Sequence, residues 1–150
     1  LSIAEVPNVF ERKYVYHAFK KPDVDLMKQA ALLMVGKHDF KNFSTVKKSK
    51  STVKEVYDID IYDDGNEIQF TIHANDFLHN MARMMIGTLI DIGLGNRKKE
   101  DVEKLLLGDS KVAASAPADP KGLFLQVIRN TYNLFFFRKS IDFFDYIVYN

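Results

Sequence analysis

The sequence predicts an α+β domain: an antiparallel or mixed sheet with helices on one face, in split β-α-β order. Three observations predict it. Apolar residues alternate with polar ones on both sides of a turn at 63–66, which is a hairpin pattern. Apolar stripes at helical spacing flank that hairpin, one in 22–36 and one in 78–93. Runs rich in strand formers lie beyond the helices, at 13–19 and 123–128.

Residues 1–11 read as an entry segment with a Pro7-Asn8 turn signal. Lys13-Tyr14-Val15-Tyr16-His17-Ala18-Phe19 alternates well enough for a strand. Pro22-Asp23 opens a helix that carries Leu26, Met27, Ala30, Leu33 and Met34, and Gly36 stops it. Residues 37–52 read as a basic, polar loop. Tyr57, Ile59 and Ile61 share one face of the first hairpin strand, with Asp58 and Asp60 on the other. Asp63-Asp64-Gly65-Asn66 makes the turn, and Ile68, Phe70 and Ile72 alternate on the return strand.

Asn75 is the predicted N-cap of the next helix, because its side-chain oxygen can accept from a free first-turn N–H. Leu78, Met81, Ala82, Met85, Ile86 and Leu89 form that helix's apolar stripe, and it ends near Gly93 and Gly95. A short helix with Val102, Leu105 and Leu106 closes at Gly108. The small-residue loop Ala113-Ala114-Ser115-Ala116-Pro117 leads to the strand Leu123-Phe124-Leu125-Gln126-Val127-Ile128. Phe135, Phe136, Phe137, Phe143, Phe144, Tyr146 and Tyr149 crowd the end of the chain. Residues 133–150 therefore read as an extension to a 1–132 domain, covering the sheet or an edge, or meeting a partner.

At 150 residues the chain is one domain's worth. Without cysteine, it has no disulfides or thiolate metal sites, and a reducing cytoplasm suits it. No apolar run has the length needed to cross a bilayer. A net charge of +1 excludes a uniformly basic RNA binder. Yet Lys37, Lys41, Lys47, Lys48, Lys50 and Lys54 share a window with one acid, Asp39. Such a patch can neutralise phosphates by releasing counterions, and a solvated lysine-rich loop is the alternative.

Arg83 is the residue that asks for chemistry. It lies off the apolar stripe, one turn beyond His79 on the same side. A guanidinium beside so apolar a face needs a carboxylate or a phosphate, both of which match its fork. His38-Asp39 invites an acid–base or metal reading, but the four histidines lack metal-site spacing, so no metal is expected. His73 faces the polar side of its strand.

The string Ala74-Asn75-Asp76-Phe77-Leu78-His79-Asn80-Met81-Ala82-Arg83-Met84-Met85-Ile86-Gly87, with Gly93 and Gly95 following, resembles the bacterial tRNA pseudouridine synthases of the TruA type. Their pattern is roughly Ala-Asn-x-Phe-Leu-His-x-Met-Val-Arg-x-Met-x-Gly-x-Leu; Ala82 stands where valine is usual. Gly36-Lys37-His38-Asp39-Phe40-Lys41-Asn42-Phe43 resembles a second block of that family. The likeness runs from about the chain start to Tyr132.

The resemblance implies one half of the pseudouridine synthase fold, a ferredoxin-like, RNP-like split β-α-β. It implies the C-terminal half of an isomerase that converts uridine to pseudouridine in the anticodon stem-loop of tRNA, with no cofactor. It also implies tRNA and the N-terminal half of the same enzyme as partners, a homodimer, no membrane, and a cytoplasmic setting. Arg83 would pair with the catalytic aspartate, keeping it ionised and aimed. Leu123, after Gly122, would line the uracil pocket. Asn75 and His79 would lie along the substrate, unless His79 hydrogen-bonds locally at the helix start. Lys41, Lys47, Lys48 and Lys50 would meet RNA.

Two departures matter. Ser115-Ala116-Pro117-Ala118-Asp119-Pro120-Lys121-Gly122 is two residues longer than the family's Thr-Ala-Pro-x-x-Gly. The Gly-Arg-Thr-Asp-x-Gly-Val-His block that carries the family's nucleophile does not occur. With Leu1 in first place, the expectation is a fragment that is inactive alone. Tyr14 imitates the family's catalytic-site tyrosine, but Phe10-Glu11-Arg12-Lys13-Tyr14-Val15-Tyr16-His17 fits a later block better, which leaves Tyr14 structural. A non-catalytic RNA-binding module and a dimerisation domain are the other readings. The first needs exposed sheet aromatics to stack bases, and strands alternating aliphatic with polar residues disfavour it.

Overall fold

The structure, a computed structural model, describes residues 20–45, 51–65, 67–120, 123–128 and 132–137. Helix α1 (Val24–Met34) is followed by strand β1 (Gly36–Asp39), a 3-10 turn (Lys41–Phe43) and the hairpin β2 (Val53–Asp63) and β3 (Ile68–Ala74). Helices α2 (Met81–Gly93) and α3 (Glu100–Leu106) come next, then strands β4 (Leu123–Ile128) and β5 (Tyr132–Phe137). The predicted strand at 13–19 lies outside the described residues.

The five strands form one antiparallel sheet in the order β1-β2-β3-β5-β4. β3 shows the alternation its sequence predicts: Ile68, Phe70, Ile72 and Ala74 are buried and the residues between them are half-buried. Those side chains share one core with Met27, Ala30 and Met34 of α1, Met81, Met85, Ile86 and Leu89 of α2, and Val102 and Leu105 of α3. The α+β class holds, and so does the predicted stripe of α2 from Met81 to Leu89, while Leu78 is buried but precedes the helix.

Local signals set the helix ends. Asp23 Oδ1 accepts from Leu26 N–H at 3.1 Å, the N-cap of α1. α2 closes in a Schellman turn: Gly95 N–H bonds Ile92 O at 3.0 Å and Asn96 N–H bonds Asp91 O at 2.9 Å. Gly95 takes φ +78°, the left-handed geometry that this closure needs. α1 and α2 approach closely at Gly93, where a β-carbon would lie 2.8 Å from Pro22 Cβ and Met27 Cγ.

Five expectations are corrected. Residues 37–43 of the predicted 37–52 loop are not loop: β1 pairs with β2 from Gly36↔Val56 to Asp39↔Val53, and Phe40 and Phe43 are fully buried. Lysine density hid two aromatic anchors. In the first hairpin strand the inward residue is Val56 rather than Tyr57. A β-bulge between Val56 and Asp58 inserts Tyr57, which turns outward while Ile59 and Ile61 keep the inner face. Leu26 is exposed on α1 rather than part of its core face.

Asn75 does not cap α2. Its Oδ1 accepts from Glu55 N–H at 2.9 Å and its own N–H bonds Glu55 O at 2.9 Å, so it extends the β2–β3 ladder by one rung. The helix starts six residues later, behind Asn80. Lastly, residues 133–137 are not an extension over the sheet. They belong to β5, which lies between β3 and β4, so the 132/133 boundary cuts a central strand. Residues 138–150 lie outside the described part.

Candidate functional site

Arg83 sits in the first turn of α2, half-buried. Its Nε donates to Ala118 O at 2.8 Å, and Nη1 donates to Asn80 Oδ1 at 2.9 Å. Ala118 N–H returns a bond to Arg83 O at 3.0 Å. The 113–118 loop is thereby tied to the helix at the arginine itself. A second tie follows one turn on, where Ser115 N–H donates to Thr88 Oγ1 at 3.2 Å and Thr88 Oγ1 donates to Met84 O at 2.8 Å. Gly87 lies between these ties and lets the loop pass: a β-carbon there would meet Ala116 O at 2.3 Å.

Asn80 precedes the helix with φ +62°, a left-handed conformation that asparagine tolerates better than most residues. Its amide orientation follows from its neighbours. Arginine offers only donors, so Oδ1 must face Arg83. Nδ2 is left to donate to Thr45 Oγ1, at 3.0 Å. Thr45 Oγ1 lies 2.7 Å from His79 Nδ1, and Thr45 N–H bonds His79 O at 3.2 Å. Thr45 Oγ1 has two acceptor lone pairs and one proton, so while accepting from Asn80 it can also pair with His79 Nδ1 in either tautomer of the imidazole. The result is a continuous relay: His79, Thr45, Asn80, Arg83, Ala118.

The oxygens that hold Arg83 are both neutral, so they direct the guanidinium without cancelling its charge. Nη2 makes no hydrogen bond among the described residues, and no carboxylate there forms an ion pair with Arg83. An arginine so fixed can present N–H donors to a carboxylate or phosphate.

The other predicted residues fall in different places. His79 is exposed and precedes α2, so it does not share a helix face with Arg83; Thr45 and Asn80 connect the two. Asn75 sits at the end of β3 with its amide engaged by β2. Leu123 begins β4, the outermost strand on its side among the described residues, opposite Phe137. Gly122, Lys47, Lys48 and Lys50 lie outside the described residues. Lys41 is exposed. Lys54 forms an ion pair with Asp76 instead of standing free. Burial alone would raise the Asp76 carboxyl, but hydrogen bonds from Lys54 and the Phe77 N–H, with the Lys54 charge, hold it below its ordinary value.

His38 and Asp39 are both used locally. His38 Nε2 lies 2.9 Å from Val35 O and its ring meets Phe40 edge-on, while Asp39 Oδ1 accepts from Lys41 N–H at 2.9 Å. Among the described residues, no three His, Asp or Glu side chains gather where they could hold a metal ion. No helix among them is long and apolar enough to cross a membrane.

The sequence did not single out Thr45, Asn80 or Ala118. Thr45 is 34 residues from His79, and Ala118 acts through its backbone, so neither leaves a local pattern. Asn80 could have been found: an asparagine three residues before a helical arginine is within side-chain reach.

Fold and site together define an α+β domain that carries a helix-borne arginine fixed by neutral oxygens. Comparison with known proteins then narrows the class. A family model described as tRNA pseudouridine synthase matches residues 30–129, and the chain belongs to that family. It is 39% identical over 123 residues to "tRNA pseudouridine synthase A" of Oceanobacillus iheyensis, covering 81% of this chain and 49% of that protein. It is 40% identical over 123 residues to "tRNA pseudouridine synthase A 2" of Bacillus cereus, covering 81% and 50%. For the Clostridium perfringens protein of the same name the figures are 38% over 125 residues, 83% and 51%. The chain thus spans about half the length of the curated relatives it matches.

Proposed function

We propose that these residues form the C-terminal half of a TruA-type tRNA pseudouridine synthase, an isomerase acting on uridines of the tRNA anticodon stem-loop. The reaction gains and loses no atoms. The C1′–N1 bond of the nucleotide breaks, the uracil turns, a C1′–C5 bond forms, and the proton lost from C5 is balanced by one gained at N1. It calls for a nucleophilic carboxylate, which the N-terminal half would supply, and for no cofactor.

Arg83 is the observation that carries this reading. Its guanidinium is half-buried, directed by Ala118 O and Asn80 Oδ1, and leaves Nη2 without a partner among the described residues. Facing the incoming aspartate, it would keep that group ionised and aimed. In the same reading Leu123 and Gly122 border the uracil. His79 and Asn75 lie along the RNA. Lys41, Lys47, Lys48 and Lys50 meet its phosphates. The complete enzyme works in the cytoplasm as a homodimer, with tRNA reaching both subunits, and these 150 residues alone form no pseudouridine.

The test is Arg83→Lys in the complete protein. Lysine keeps the charge but cannot hold two fixed oxygens and a carboxylate at once. Pseudouridine formation on tRNA should fall by about a hundredfold or more, while tRNA binding changes little. Undiminished turnover would refute the role given to Arg83.

A further inference from the structure

We infer that Asn80 and Thr45 are positioning residues for Arg83: together they hold the guanidinium where it meets the catalytic carboxylate. This rests on the reading of Arg83 given above. Arg83 has a long, flexible side chain, and a half-buried site alone does not select one rotamer. Two bonds fix it. Ala118 O takes Nε through a backbone oxygen, which substituting the Ala118 side chain does not itself delete. Asn80 Oδ1 takes Nη1 and so sets the rotation of the guanidinium plane.

Asn80 suits this task for three separate reasons. It tolerates φ +62°, where most side chains are strained. Its oxygen is neutral, so it leaves the positive charge of Arg83 for the nucleophile; a carboxylate at 80 would form a salt bridge with the guanidinium and compete for it. Its amide nitrogen, turned away from Arg83, is anchored by Thr45 Oγ1 at 3.0 Å. Thr45 is in turn clamped by His79 through both the hydroxyl and the backbone. Asn80 makes no side-chain cap on α2, so helix capping does not account for it.

Glycine separates these roles, because Asn80→Gly keeps the left-handed backbone and deletes only the amide. In the complete protein, single-turnover pseudouridine formation, tRNA Kd and melting temperature are measured for Asn80→Gly, Asn80→Asp, Thr45→Val, Thr45→Ser, Arg83→Lys and the Asn80→Gly/Arg83→Lys pair. The expected result is a rate loss of about tenfold or more for Asn80→Gly, with Kd and melting temperature close to the parent. Asn80→Asp should be slower still. Thr45→Val should lose rate, and Thr45→Ser, which keeps the hydroxyl, should recover it. The pair should be no slower than Arg83→Lys alone, because both changes remove one function.

Parental rates in Asn80→Gly would overturn the inference. So would a rate loss matched by equal losses in Kd and melting temperature, which is a folding defect, or rate losses that simply multiply in the pair. Full activity in Arg83→Lys, or no pseudouridine from the parent protein, instead removes the underlying reading and the inference with it.

Discussion

Gly87 lies so close beneath the Ala116 carbonyl that a β-carbon at 87 would stand 2.3 Å from the oxygen. The clash is with backbone, so a flexible side chain cannot relieve it. Gly87→Ala therefore sets two effects against each other. Alanine in a helix interior gains about 1 kcal/mol over glycine, while forcing atoms into a packed site costs about 1–3 kcal/mol. The second effect wins, and the variant should be less stable by about 1 kcal/mol. The local effect is sharper than the global one. The loop has to lift, Ala118 N–H should lose protection from hydrogen exchange, and Arg83 should lose its Nε acceptor. Stability equal to or above the parent, with Ala118 still protected, would contradict this account.

Much of the scaffold was legible because it obeys local rules. Ile68, Phe70 and Ile72 alternate and are buried; Met81, Ala82, Met85, Ile86 and Leu89 recur at helical spacing and are buried. What escaped depends on distant segments. Asn75 has the chemistry of a helix cap, but the Glu55 peptide across the sheet claims its oxygen first. Tyr57 fits the alternation of Ile59 and Ile61, and only the pairing partner reveals the bulge that ejects it. β5 is aromatic enough to pass for a cover, yet its place between β3 and β4 is a matter of topology. Arg83 stood out as a guanidinium beside an apolar stripe. The groups that aim it come from 35 residues downstream and, through Asn80, from Thr45, and no spacing rule reaches that far.

The clamp at Asn75 gives a second prediction. Asn75→Ala removes the acceptor of Glu55 N–H, which is near the surface and can turn to water. Stability should therefore fall by only about 0.5–1.5 kcal/mol in a denaturant melt. Hydrogen exchange should speed up at Glu55, and the first-turn amides of α2 should stay unchanged. Asn75→Asp keeps the acceptor and should restore Glu55 protection. Fraying of Met81–Arg83 without change at Glu55 would reinstate the capping role.

The lysine-rich segment is tested by salt. Changing Lys47, Lys48 and Lys50 to neutral residues should weaken tRNA binding by the complete protein. It should also flatten the plot of log affinity against log salt by roughly 0.7–0.9 for each phosphate left without its lysine. A weaker affinity with the same slope would assign these side chains to folding or shape, and an unchanged affinity would leave the segment as solvated surface.

The Lys54–Asp76 pair predicts an acid dependence whose sign follows from the direction of the shift. Lys54 and the Phe77 N–H hold the Asp76 carboxyl below its ordinary value of 3.8 in the folded protein. A depressed folded value means that the ion pair stabilises the fold above the unfolded value and loses that contribution as pH falls through the folded one. Asp63, held down by the Gly65 N–H and Lys21 against the opposing effect of burial, acts in the same direction. Thermal melts of the parent and Asp76→Asn should therefore differ most near neutral pH, with the parent more stable. The gap should narrow as pH drops below about 4. Because Asp76 is 56% exposed, the neutral-pH gap should be small and should shrink further in high salt. A gap that holds constant down to the lowest pH, or widens there, would mean that Lys54 does not stabilise the charged form of Asp76.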